Sequence, residues 1–119
     1  VGTAHAEITG AVITLHSSSG TAGTCTISVD KQSVTCTDTN IYPGQGNRAT
    51  LNMTVKSNDV SGTISLTATA DTTDHTVATI AANDSYPITL AAGASVHLYF
   101  DITGVSHGTT TFTATISGT

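Results

Sequence analysis

Strict alternation of aliphatic with hydroxyl-bearing residues constrains this chain more than any other feature. Over residues 49–56, Ala49, Leu51, Met53 and Val55 fall on one side, and Thr50, Asn52, Thr54 and Lys56 on the other. The pattern repeats with Ile64, Leu66, Ala68 and Ala70 set against Thr63, Ser65, Thr67 and Thr69. It repeats again with Val96, Leu98, Phe100 and Ile102, and with Phe112, Ala114 and Ile116. A period of two residues is that of a half-buried β-strand, with one face toward a core and the other toward solvent. No segment carries the 3.6-residue period of an amphipathic helix.

Shorter strands are expected at 11–15, 76–80 and 86–90, the last demoted to an edge by Pro87. Turn signals separate the runs: Pro43-Gly44, Asn58-Asp59 with Gly62, Ala92-Gly93 and Ser106-His107-Gly108. Seven to nine short strands at this spacing predict an all-β fold, a β-sandwich of Ig-like or jelly-roll type, with a small barrel as the alternative. With 119 residues there is room for one core. The expected division is a β-sandwich domain over 10–119, preceded by a separate strand at 1–9.

Composition explains the polar faces and removes several functions. The chain has 26 Thr and 12 Ser but only three strong cations, Lys31, Arg48 and Lys56, and a net charge of −5. Thr, Val and Ile favour strands through their stiff χ1. A chain so poor in cations cannot neutralise a phosphate backbone, so no nucleic-acid partner is expected. No apolar run reaches the roughly 20 residues of a membrane-spanning helix.

Cys25 and Cys36 lie in GTCTISVDKQSVTC. Pairing them across a hairpin puts the turn at Asp30-Lys31, sets Ile27 opposite Val34 and Val29 opposite Gln32, and places Cys25, Ile27 and Val29 on one face. A disulfide is expected, because no His or second Cys pair has zinc-site spacing; two buried thiols are the alternative. A disulfide implies an oxidising compartment, and with it a secreted, extracellular chain whose signal peptide has been removed before Val1.

Catalytic chemistry finds little support. Glu7 is the only Glu, and the hydroxyls follow strand alternation instead of a nucleophile elbow. No two of His5, His16, His75, His97 and His107 lie within four residues of each other, so no local metal pair exists. Asp71, Asp74 and Asp84 with His75 could hold calcium in loops, but they lack the dense oxygen ligands of a dedicated site. The expectation is a non-enzyme with no cofactor and no metal. Two sequons, Asn52-Met53-Thr54 and Asn83-Asp84-Ser85, make Asn52, on an outward strand face, and Asn83, in a loop, candidates for N-glycosylation.

The N-terminal run has a weak alternating face, Val1 aside, of Ala4, Ala6 and Ile8, followed by Gly10 and a second β-run. A terminal strand presents unpaired N–H and C=O groups that seek a sheet edge. In a monomer it is the first edge strand; in an assembly it can complete a neighbour's sheet, with Gly10 as the hinge. Such a head-to-tail contact need not close and generates a filament.

Two segments share one grammar, IYPGQGNRATLNMTVKS and ITLAAGASVHLYFDITG. A β-run at the start, IYPGQ, and the alternating LNMTVKSNDVSGTISLTATA together resemble the TasA/camelysin-type biofilm fibre proteins, and more closely the archaeal bundling pilins and thread subunits. That resemblance implies a donor role for residues 1–9, with Val1, Ala4, Ala6 and Ile8 entering the next subunit. It implies copies of the chain as partners, in a filament that contacts neighbouring filaments or the cell surface. The rival expectation is an Ig-like adhesive module of a larger surface protein that recognises a sugar or another protein through loops near Asp71–His75 and Asp84–Tyr86.

Overall fold

Each alternating run becomes a strand, and every strand pairing is antiparallel. The computed structural model describes residues 5–15, 23–41 and 48–119. Among these lie β1 (Ala6–Leu15), β2 (Thr24–Ile27), β3 (Ser33–Ile41), β4 (Arg48–Ser57), β5 (Thr63–Thr72), β6 (Ala78–Ala82), β7 (Ile88–Ala91), β8 (Ser95–Gly104) and β9 (Gly108–Gly118), with no helix. They form two sheets, in the orders β1-β4-β8-β6 and β2-β3-β9-β5-β7. The expected β-sandwich is therefore the fold.

The aliphatic faces of the two sheets meet as one core. Leu51, Met53, Val55, Leu98, Phe100 and Ile102 come from the first sheet, and Val34, Leu66, Phe112 and Ala114 from the second; all are fully buried. The Thr and Ser faces point outward, as in β9, where buried and exposed residues alternate from Phe112 to Ser117. Burying each large aliphatic side chain contributes about 1.5–3 kcal/mol, and this drives the two faces together.

Three of the described hydroxyl residues depart from the rule, Ser57 and a pair of threonines. Thr72 and Thr110 are buried at the core margin, with their hydroxyl oxygens 2.6 Å apart. Thr110→Val should therefore cost about 1–3 kcal/mol, because it leaves the Thr72 hydroxyl with only the long bond from the Asp74 N–H (3.4 Å). The double variant Thr72→Val/Thr110→Val should recover much of that loss, which a urea-unfolding cycle measures.

The β2–β3 hairpin has the expected register, with Cys25 opposite Cys36 and Ile27 opposite Val34. The Cys25–Cys36 disulfide is formed. Val29 is a correction: it is fully exposed instead of sharing the face of Ile27. The strand ends at Ile27, and the Lys31 N–H donates to the Ser28 carbonyl (3.0 Å), so Val29 sits at the tip of a turn where strand alternation no longer applies. The Asp30 carboxylate accepts from the Ser28 hydroxyl and from the Gln32 N–H, and these bonds hold its pKa below the usual carboxylate value.

Strand β6 starts two residues later than expected. Asp74 captures the preceding segment: its carboxylate accepts from the Thr76 N–H and hydroxyl, and its carbonyl accepts from the N–H groups of Val77 and Ala78. Strand β7 begins directly after Pro87 and forms an edge of the second sheet, where a missing N–H is tolerated. Gly62 and Gly93 hold positive φ in the turns before β5 and β8. Gly93→Ala should cost about 1 kcal/mol by forcing a side chain into that region, read from the thermal midpoint.

Candidate functional site

Strand β1 is the outermost strand of its sheet, and its two halves are held differently. Its register on β4 shifts between Ile8 and Gly10, so Thr9 is the extra residue of a bulge. Before the bulge, β1 is stitched to both sheets. It pairs with β4 through Ala6↔Ser57, Glu7↔Lys56 and Ile8↔Val55. From the other side, the Ile8 N–H donates to the Lys31 carbonyl (2.9 Å) and Gln32 Nε2 donates to the Ala6 carbonyl (2.7 Å). Residues 6–8 thus close the seam between the sheets, with Ala6 and Ile8 each only 1% exposed.

Polar contacts fix the rim of this seam. The Asn58 N–H donates to the His5 carbonyl at 2.7 Å, and His5 Nδ1 lies 2.9 Å from Asp59 Oδ1. Lys31 Nζ approaches Glu7 Oε2 at 3.7 Å, an exposed pair worth little by itself. Lys31 has a φ of 59°, a left-handed conformation uncommon for a residue with a side chain, and its carbonyl is the one that receives Ile8.

The residues expected to donate a strand are distributed as follows. Ala6 and Ile8 lie inside the chain's own sandwich, in a strand that runs on unbroken to Leu15. Val1 and Ala4 lie outside the described residues. Gly10 lies within β1, paired with Thr54, instead of between two strands. A Cβ at Gly10 would meet nothing within 4 Å. Gly10→Ala should thus be neutral or stabilising by about 0.4–1 kcal/mol in the single chain, as judged by chemical unfolding.

The outer face of the same sheet gathers the two sequon asparagines. Register places Val12, Asn52 and Tyr99 in one outward row across β1, β4 and β8. The Asn83 N–H donates to the Tyr99 carbonyl (3.0 Å), and the Tyr99 N–H donates to the Asp84 carboxylate (2.9 Å), so the end of β6 and its following turn are pinned beside Tyr99. Thr14, Thr50, Asn52, Asn83 and Tyr99 line a cavity of about 380 Å³. Asn83 is exposed; Asn52 is half-buried, and its Oδ1 is buried without a hydrogen-bond partner. An unpaired acceptor of this kind costs about 1–3 kcal/mol.

The acidic loop does not converge. His75 Nε2 lies 2.6 Å from Asp71 Oδ1, and Asp74 bonds its own turn. The Asp71 pKa is lowered chiefly by the Thr72 N–H and then by His75, and that of Asp74 by the Thr76 hydroxyl and N–H. Asp84 is committed to Tyr99. Among the described residues no three His, Cys, Asp or Glu side chains group as metal ligands, and no helix is long and apolar enough to cross a membrane.

Tyr86 packs against the core with its hydroxyl buried and unpartnered. Burial, aided by the Asp84 charge, pushes its pKa up to about 12. A raised phenol pKa favours the neutral form in the folded state, so stability should fall as pH rises from about 10 toward 12. Ultraviolet titration should show one tyrosine ionising later than an ordinary phenol.

Comparison with protein-family models, with curated proteins and with solved structures finds no match to this chain. The seam and the face are thus defined by their own chemistry. Sequence reasoning did not anticipate Lys31 and Gln32 as the partners of β1, nor the row Val12–Asn52–Tyr99. Val12 did carry a signal, as an aliphatic residue on a face otherwise held by Thr.

Proposed function

We propose that this protein is a secreted structural subunit that assembles with copies of itself into an extracellular filament by exchanging its N-terminal strand. The observation that carries the reading is the seam: residues 6–8 hydrogen-bond to both sheets, and two side chains of that segment are buried. The same seat accepts the segment from its own chain or from a neighbour with identical contacts. Only the tether differs, and this is the usual route to swapped assemblies. The hydrogen bonds to the Lys31 carbonyl and from the Gln32 side-chain amide and the Asn58 N–H each contribute roughly 0.5–1.5 kcal/mol net, and Ile8 adds about 1.5–3 kcal/mol of burial.

Further support comes from a surface of hydroxyls with few charges to keep copies apart. The disulfide, with no membrane-spanning helix among the described residues, is compatible with an extracellular location. This function is also the one implied by the resemblance to the TasA/camelysin-type fibres and archaeal bundling pilins. Deleting residues 1–9 should leave particles that do not polymerise under the electron microscope. Filaments of unchanged length and number after that deletion would contradict the proposal.

A further inference from the structure

We infer that the outer face of the β1-β4-β8-β6 sheet is a seat for a neutral pyranose sugar, formed by Tyr99, Asn52 and Asn83. The cavity of about 380 Å³ falls at the small end of the range for small-molecule sites. Among the described residues its lining is one aromatic ring, two carboxamides and two threonines. Such a set suits a molecule with both an apolar ring face and hydroxyls. Tyr99, 39% exposed, offers a ring for the C–H face of the sugar. Each carboxamide both donates and accepts, as a vicinal diol requires.

The buried Asn52 Oδ1 adds an independent indication, because it is an acceptor with no donor in reach. Asn χ2 is broad and nearly two-fold, so a turn of the carboxamide brings the unpaired oxygen to a ligand hydroxyl. The main chains of Tyr99 and Asn83 are held beside each other without the ligand, through the Tyr99 backbone bonds to the Asn83 N–H and the Asp84 carboxylate. The seat shares no residue with the β1 seam.

One ring and two amides bury little area, so affinity is on the order of millimolar. The test is a ¹⁵N NMR titration of the unglycosylated full chain with glucose, galactose, mannose and N-acetylglucosamine, and with sorbitol as an acyclic control. At least one pyranose should produce saturable shifts in the Asn52 and Asn83 side-chain amides, while sorbitol produces none. Tyr99→Ala and, on an exposed turn, Asn83→Ala should each weaken that binding at least tenfold. Shifts absent with all four sugars, shifts equal with sorbitol, or binding that survives both substitutions would overturn the inference.

Discussion

Ile8→Asp is expected to lose about 4–5 kcal/mol of stability, the largest effect of any single change at the seam. The side chain is 1% exposed and packs in the closed seam, and no cation lies against it among the described contacts. Lys31 reaches toward Glu7 on the opposite face of the strand. The introduced carboxyl would be driven neutral in the folded state, so its pKa would be raised above the unfolded value of about 3.9. The deficit should therefore be smaller near pH 3 than near pH 7, as urea unfolding at the two pH values measures. Ile8→Val, which removes one methylene, should cost only about 0.5–1.5 kcal/mol.

Removing the disulfide comes second. Reduction, or Cys25→Ala/Cys36→Ala, should cost about 3 kcal/mol, since the bond closes a loop with a sequence separation of 11. The hairpin it closes also carries the turn that seats β1, through the Lys31 carbonyl and the Gln32 amide. The loss should therefore couple to Ile8→Ala by about 0.5 kcal/mol or more in a double-mutant cycle, where unlinked sites would simply add.

The strands were legible because burial of one face imposes a two-residue period that no other structure satisfies. Residues 49–56 and 95–102 needed nothing beyond that period, and the hairpin needed only the cysteine spacing. Strand ends were less visible, since local side-chain chemistry decides them: Asp74 draws Thr76 and Val77 into a turn, and Ser28 with Asp30 lifts Val29 out of its strand. The site was legible only in part. Ala6 and Ile8 stand out as apolar positions, but their partners Lys31 and Gln32 lie in a distant turn that only the fold brings alongside. Asn52 and Asn83 read as two unrelated sequons, and the pairing of β4 with β8 and of β8 with β6 places them in one cavity.

The exchange of residues 1–9 between copies is the central claim, and the Glu7–Lys31 pair offers a direct reading of it. Glu7 is the only Glu in the chain, and its carboxylate lies 3.7 Å from the Lys31 amine, within reach of a zero-length carbodiimide cross-link. Copies labelled with ¹⁴N and ¹⁵N would be mixed, allowed to assemble and cross-linked, and the joined peptides weighed by mass spectrometry. Strand exchange predicts abundant mixed-isotope Glu7–Lys31 peptides in the assembled fraction. Assemblies in which every such peptide carries a single isotope would show that each chain keeps its own strand, and would contradict the account.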